Sequence, residues 1–251
     1  MATNYDILAP VYDILDFGNF ADALTPRLVE YALRNDWMGR RIVSLGCGTG
    51  RGLQWIAQHG YLLTAVDQSE AMLEQAKNSI SSGRGTVDWR QQNLLSLEGI
   101  GGMDMAIALN VLCEMDNLKQ LEAAFQSIRQ TLQEGRLFIF DLYTIEGLVI
   151  RYQTGDKLLH EADDLIVYSK NYYDFERQIQ MREYHIYRRQ EDDLWQRQTA
   201  ERTMRAYPIQ AVVALAKRAN FDVATIVTPD LLTYDPGKPH IERVIMLAKA
   251  I

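Results

Sequence analysis

The chain has 251 residues, 47% of them apolar, which is enough for one domain with an elaboration and unlike a disordered chain. A formal charge of −7 argues against nucleic acid as the main partner, because phosphate binding is driven by clustered Lys and Arg and pairs such as Arg188-Arg189 are too short to offset it. With only Cys47 and Cys113, no CxxC spacing, no apolar run near the ~20 residues of a membrane span and no basic start, neither a disulfide framework, a zinc site, a span nor a signal peptide is expected, and a cytoplasmic protein is.

In chain order, Tyr5 to Asp13 is too aromatic for a free tail and is expected to fold onto the rest. Thr25-Pro26 reads as a helix start, with Leu28, Val29, Ala32 and Leu33 on its apolar face. Arg41 to Leu45 is a strand, and Leu53, Ile56 and Ala57 then fall at helical spacing before Gly60. Tyr61 to Asp67 is a second strand. Ser69 can cap a helix whose Met72, Leu73, Ala76 and Ile80 share one face, and Ser81 to Gly85 ends it. Thr86 to Gln92 and Met103 to Asn110 are strands three and four. Asn117 caps the clearest helix, with Leu118, Leu121, Phe125, Ile128 and Leu132 in steps of three and four; Gly135 stops it and Arg136 to Asp141 is the fifth strand.

This alternation predicts an α/β fold with a doubly wound, mostly parallel sheet. It breaks from Leu142 to about Arg205, where Leu165 to Phe175, Gln178 to Arg188 and Leu194 to Arg205 read as a three-strand meander. Pro208 then starts a helix that Asn220 ends. Phe221 to Thr228 and Ile241 to Lys249, joined by a loop, complete a seven-stranded sheet as an antiparallel pair. The expected organisation is a helical cap over 1–36, a core over 37–141 and 206–251, and an antiparallel β insertion over 142–205.

Between the first strand and helix stand Gly46, Gly48, Gly50 and Gly52, a G-x-G-x-G pattern. Glycines there let the backbone take unusual φ values and approach a ligand closely, and a helix start offers free N–H groups. A turn of this kind can also be glycine-rich for steric reasons alone. Asp67 ends the next strand about 20 residues later, the separation at which a βαβ unit sets an acid on a ribose. Arg51 stands where the dehydrogenase fingerprint has glycine. Loop and acid together predict a nucleotide-like ligand.

Leu45-Gly-Cys-Gly-Thr-Gly50 and Val66-Asp-Gln-Ser-Glu-Ala-Met-Leu73 resemble the class I S-adenosylmethionine-dependent methyltransferases. The resemblance implies their Rossmann-like fold and S-adenosyl-L-methionine as cofactor. It also implies that Gly46, Cys47, Gly48 and Gly50 pass beneath the methionine part, and that Asp67, with Gln68 beside it, binds the ribose hydroxyls. Tyr12 matches a tyrosine at the pocket mouth, although Tyr5 and Tyr12 equally well simply dock their segment. Met72 matches a residue that packs on adenine, but its spacing suits a core residue as well. Asn93 stands where an acid commonly accepts from the adenine amino group, with the Leu94 N–H meeting the ring; an Asn capping a turn is the alternative. Asn110 would offer its backbone carbonyl to the cofactor's amino end. Ser44 departs from the family, which commonly has an acid there. The insertion, rich in Tyr172, Tyr173, Tyr184, Tyr187 and Trp195, looks like a lid over the acceptor, or alternatively a homodimer surface.

A sulfonium methyl is already activated, so orientation supplies much of the catalysis and a general base is optional. Glu114 and Tyr143 follow the fourth and fifth strands and are the candidates to orient or deprotonate an acceptor; Cys113 is a candidate lining or core residue. His160, His185 and His240 are scattered, and no spacing suggests a metal. The function expected is methyl transfer to N or O of a small molecule. Its rivals are a regulatory or interaction module that binds the cofactor without turnover, and an NAD-dependent dehydrogenase, disfavoured by Arg51 and the antiparallel ending.

Overall fold

The computed structural model describes residues 3–80, 85–191 and 193–251. Its main sheet has seven strands in the order β10-β11-β5-β4-β1-β2-β3. These are β1 (Arg41–Leu45), β2 (Leu62–Asp67), β3 (Val87–Gln91), β4 (Met103–Ala108), β5 (Leu132–Tyr143), β10 (Phe221–Val227) and β11 (Arg243–Ala250). The first five run parallel, and β11 inserts antiparallel to both β5 and β10. Val244 to Ala248 are all buried, as a strand covered on both faces requires.

Successive side chains leave opposite faces of the sheet, and the two faces build separate cores. Ile42, Ala65, Met105, Ile107 and Ile139 pack under α2 (Asn19–Arg34) and α3 (Gln54–Gln58). Val43, Leu45, Ala106, Phe138 and Phe140 pack under α5 (Leu118–Thr131) and α7 (Ile209–Arg218). Asn117 caps α5 through a 3.0 Å bond from the Gln120 N–H, and Ser69 caps α4 (Glu70–Ser79) through the Met72 N–H at 3.2 Å. The expected end of α4 at Ser81 to Arg84 lies outside the described residues; at Ile80 the backbone is already extended.

Three expectations are corrected. Pro26 lies inside α2 rather than starting it: the helix begins at Asn19 behind Gly18, which gives no side-chain cap, and Leu24, Leu28, Val29 and Ala32 anchor it to the sheet. Burial of that face outweighs the lost N–H bond, and the Thr25 hydroxyl donates to the Ala21 carbonyl at 2.7 Å. Gly135 does not stop α5; the chain is extended from Leu132, and Gly135, at φ 78°, sits in a register shift within β5. The insertion is more than a three-strand meander. It contains α6 (Ile145–Gln153) and a four-stranded antiparallel sheet, β6 (Lys157–Glu161), β7 (Leu165–Asp174), β8 (Ile179–Arg189) and β9 (Trp195–Arg205). The inner face of that sheet meets α1 (Asn4–Tyr12) through Leu8, Val11, Tyr184, Ile186 and Ala200.

Candidate active site

A cleft of about 320 Å³ opens where β1, β2 and β4 end. Its walls include Tyr5, Tyr12, Gly46, Gly48, Asp67 and Gln68. Asn93, Leu94, Asn110, Glu114 and Met115 line it as well. Of the residues singled out in the sequence, Tyr12, Gly46, Gly48, Asp67, Gln68, Asn93, Leu94, Asn110 and Glu114 therefore meet in one place.

Asp67 organises the loop. One carboxylate oxygen accepts from the Gly48 N–H at 2.8 Å and the other from the Ser69 N–H at 2.9 Å, so a single side chain ties the glycine turn to the start of α4. Burial raises its pKa, opposed by these N–H bonds. Gly46 and Gly48 both have positive φ, at 64° and 55°, but their surroundings differ. A Cβ on Gly46 would sit 2.5 Å from Val111 Cγ2, whereas one on Gly48 would meet only Tyr12 Cε1, at 3.8 Å. Gly46→Ala is therefore expected to lose about 2–4 kcal/mol of stability from strain and overpacking together, and Gly48→Ala about 1–2 kcal/mol from strain alone. Thermal unfolding of the two variants checks the order; equal losses would mean that the Val111 contact is not felt.

The other predicted residues lie elsewhere. Cys47 faces a small cavity behind the loop together with Ser44, and Gly50 packs near Ala76 and Ile80. Met72 is fully buried in the core shared with α1. Asn93, by contrast, is in the cleft wall, where its Oδ1 accepts from the Leu95 N–H at 2.9 Å and forms a local turn. Tyr143 is buried behind the cleft, where its hydroxyl accepts from Arg243.

Two ionic clusters were not foreseen. Glu114 Oε1 accepts from the Tyr5 hydroxyl and from Arg202 Nε and Nη2, at 3.0 and 2.6 Å from the arginine. Arg243 bonds Asp141 at 2.6 Å and Asn110 Oδ1 at 2.9 Å, and its guanidinium lies 4.1 and 3.8 Å from the ring centroids of Phe20 and Tyr143. Asp141 also accepts from the Asn110 N–H at 2.5 Å, holding that residue at φ 62° beside the cleft. The inward parity of Ala200, Arg202 and Met204 on β9 is the sequence signal that flags Arg202. Nothing local in the sequence pairs it with Glu114.

Helix α1 is strapped over this end of the sheet. Beyond the Tyr5–Glu114 bond, the Ser69 hydroxyl donates to Asp6 at 2.5 Å and the Thr49 hydroxyl to Asp13 at 2.7 Å. The Ser69 bond helps hold the Asp6 carboxyl below its ordinary pKa.

Residues 42–135, which include the glycine loop, Asp67 and Asn110, match the family model of a methyltransferase domain. A protein of Geobacillus sp. (strain WCH70) that carries a methyltransferase name is 29% identical over 215 residues, 84% of each chain. Over this domain the chain is similar to the class I S-adenosylmethionine-dependent methyltransferases. The fold is similar to that of an S-adenosylmethionine-dependent methyltransferase from Clostridium acetobutylicum, with TM-score 0.80, 20% identity and 98% of each chain covered. It is also similar to the sugar N-methyltransferase KedS8 from Streptoalloteichus sp., with TM-score 0.71, 16% identity and coverage of 96% and 93%. Among the described residues, no helix is long and apolar enough to cross a membrane, and no cluster of His, Cys, Asp and Glu could hold a metal ion.

Proposed function

We propose that the protein moves a methyl group from S-adenosyl-L-methionine to a nitrogen or oxygen of a small-molecule acceptor by in-line displacement. The observation that carries this reading is the Asp67 carboxylate, buried, anchored through both oxygens to the loop, and still exposed to the cleft. A carboxylate so fixed can accept from a ribose diol without moving. The space beside Gly48 leaves room for a ligand to approach the backbone.

When bound, the cofactor would supply an activated methyl on its sulfonium, the carbon–sulfur pair would stay with sulfur, and the acceptor's proton would leave to solvent or a base. What remains for this chain is to bind, orient and exclude water. Asp67 with Gln68 would hold the ribose, and Asn93 and the Leu94 N–H the adenine edge. The Asn110 carbonyl would hold the amino end, and Tyr12 would cover the mouth. Cys47, Gly50 and Met72 would act through the shape of the loop and core. Glu114, fixed by Arg202 and Tyr5, would orient the acceptor, while Tyr143, locked by Arg243, would support Asn110. The β6–β9 sheet and α6 would form the lid, with residues 1–36 as a cap over the core. The sugar N-methyltransferase named above supports a small-molecule acceptor.

The test is calorimetric titration with S-adenosylmethionine, S-adenosylhomocysteine and NAD, followed by mass-spectrometric detection of methylated product over a panel of amines and alcohols. Micromolar binding of the adenosyl ligands and none of NAD is expected. Tight binding of NAD alone would overturn the reading.

A further inference from the structure

The inner face of the insertion sheet has a charge pattern that the methyl-transfer reading does not use. On β8 the buried positions include Gln180, Arg182 and Tyr184, and on β9 Ala200, Arg202 and Met204. In the register of the two strands Arg182 stands directly opposite Arg202. Both are buried, at 8% and 3% exposure, and like charges directly opposite in a sheet destabilise it. Arg202 is neutralised by Glu114.

Arg182 has no such partner. Its Nη2 donates to Thr154 Oγ1 at 3.0 Å and reaches the Arg151 carbonyl at 3.5 Å, both neutral acceptors, and its Nε is buried without a bond. Arg151, half-buried on α6, also has a buried, unbonded Nε, and its guanidinium lies 5.7 Å from the Tyr143 ring centroid. Among the described residues, neither Arg151 nor Arg182 forms an ion pair with a carboxylate. Tyr184 is fully buried with its hydroxyl unpartnered. Burial and the nearby Arg151 guanidinium both push Arg182 below the ordinary arginine pKa, so the cluster is held against its own charge.

Two guanidinium groups and a hydroxyl, desolvated and short of acceptors, are the complement of an oxyanion. Two chains of contacts link the cluster to residues that line the cleft. Arg202 joins it to Glu114, and the Tyr143 ring, beside both Arg151 and Arg243, joins it to Asn110. We propose that Arg151, Arg182 and Tyr184 form the seat for a carboxylate or phosphate group carried by the methyl acceptor. This inference rests on the methyl-transfer reading and narrows it: the acceptor is anionic, held at its charged end beneath the insertion sheet while its nucleophile faces the cleft.

The experiment uses the full chain saturated with S-adenosylhomocysteine, at constant ionic strength, with chloride replaced stepwise by inorganic phosphate or by acetate while the melting temperature is followed. The wild type is expected to show a saturable rise with millimolar half-saturation for at least one of the two anions. A stronger response to phosphate indicates a phosphorylated acceptor, and a stronger response to acetate a carboxylic one. Arg182→Gln is expected to raise the half-saturation at least tenfold. Arg182→Lys, which keeps the charge but not the fork, should fall between them. Tyr184→Phe removes only the unpartnered hydroxyl and guards against an Arg182 variant that fails to fold; a weakened anion response is expected there too. S-adenosylhomocysteine titrations on the same samples should be unchanged, so that failure here is distinguishable from failure of the cofactor site. An absent anion response in the wild type, or one of equal strength in Arg182→Gln and Tyr184→Phe, overturns the proposal.

Discussion

Asp67→Ala is expected to weaken S-adenosylhomocysteine binding about 100-fold, corresponding to about 2.7 kcal/mol, within the range for losing hydrogen bonds to a charged group. The variant loses the acceptor offered to the ribose, and it also leaves the Gly48 and Ser69 N–H groups without their partner. Asp67→Asn should do little better. An amide has one oxygen where the structure uses two, so its NH2 would face one of those N–H donors. Isothermal titration calorimetry checks both variants, and near wild-type affinity in Asp67→Asn would exclude the carboxylate as the ribose ligand.

The pH dependence of the same site has a definite sign. Burial raises the Asp67 pKa in the free protein. A ribose diol donates to the ionised carboxylate, so affinity is full above that raised pKa and falls as pH drops through it, above the ordinary aspartate range near 3.9. Stability of the free protein responds in the opposite sense: the contribution of a raised carboxyl pKa is present below the unfolded value and lost as pH rises through the folded one. Acidification should therefore weaken binding while easing the burial cost, and both trends should flatten in Asp67→Asn.

Arg243→Met is expected to lower stability by about 3–5 kcal/mol, the usual cost of stranding one partner of a buried ion pair. In a protein of this size that is a fall of about 10 °C in melting temperature. Arg243 is the carboxylate partner of Asp141, a donor to Asn110 and to the Tyr143 hydroxyl, and the cation beside Phe20. Its loss leaves Asp141, at 1% exposure, with only the Asn110 N–H and neighbouring backbone as support. Burial already raises the Asp141 pKa against the pull of Arg243, so without Arg243 it should rise further, and the stability deficit should shrink as pH falls. The double variant Asp141→Asn/Arg243→Met should recover part of the loss. Additive losses in that cycle would show that the pair is not coupled.

How much was legible depended on the range of the interaction. Strands β1 to β5 and helix α5 were read from periodicity and from caps such as Asn117 and Ser69, all signals within a few residues. The antiparallel ending followed from a loop too short on helical pattern to cross the sheet. Pro26 and Gly135 misled because tertiary burial overrode local breakers. Helix α6 was missed although Thr144 caps it through the Gly147 N–H at 2.9 Å, because its apolar stripe is short and buries mainly Leu148. In the site, Gly46, Gly48 and Asp67 stood out because their spacing is local to one βαβ unit. The links of Glu114 to Arg202 and of Asp141 to Arg243 join residues far apart in sequence: packing of β9 against the Leu112–Glu114 turn makes the first, and the pairing of β11 with β5 the second.

The place of β11 also bears on how the molecule assembles. β5 and β10 are not neighbours; each pairs with β11, whose residues come after both in the sequence. During folding, the parallel half of the sheet can form while β5 still presents an open edge, and that edge closes only when residues 243–250 arrive. Loop-closure entropy for such distant pairings must be met before their contacts form, so docking of β11 is expected to come late, and the interval before it to be the one exposed to edge-to-edge aggregation. Arg243 is the first residue of that strand, so docking of the strand and neutralisation of Asp141 coincide, and a nascent or destabilised chain would have neither a closed sheet nor a finished site.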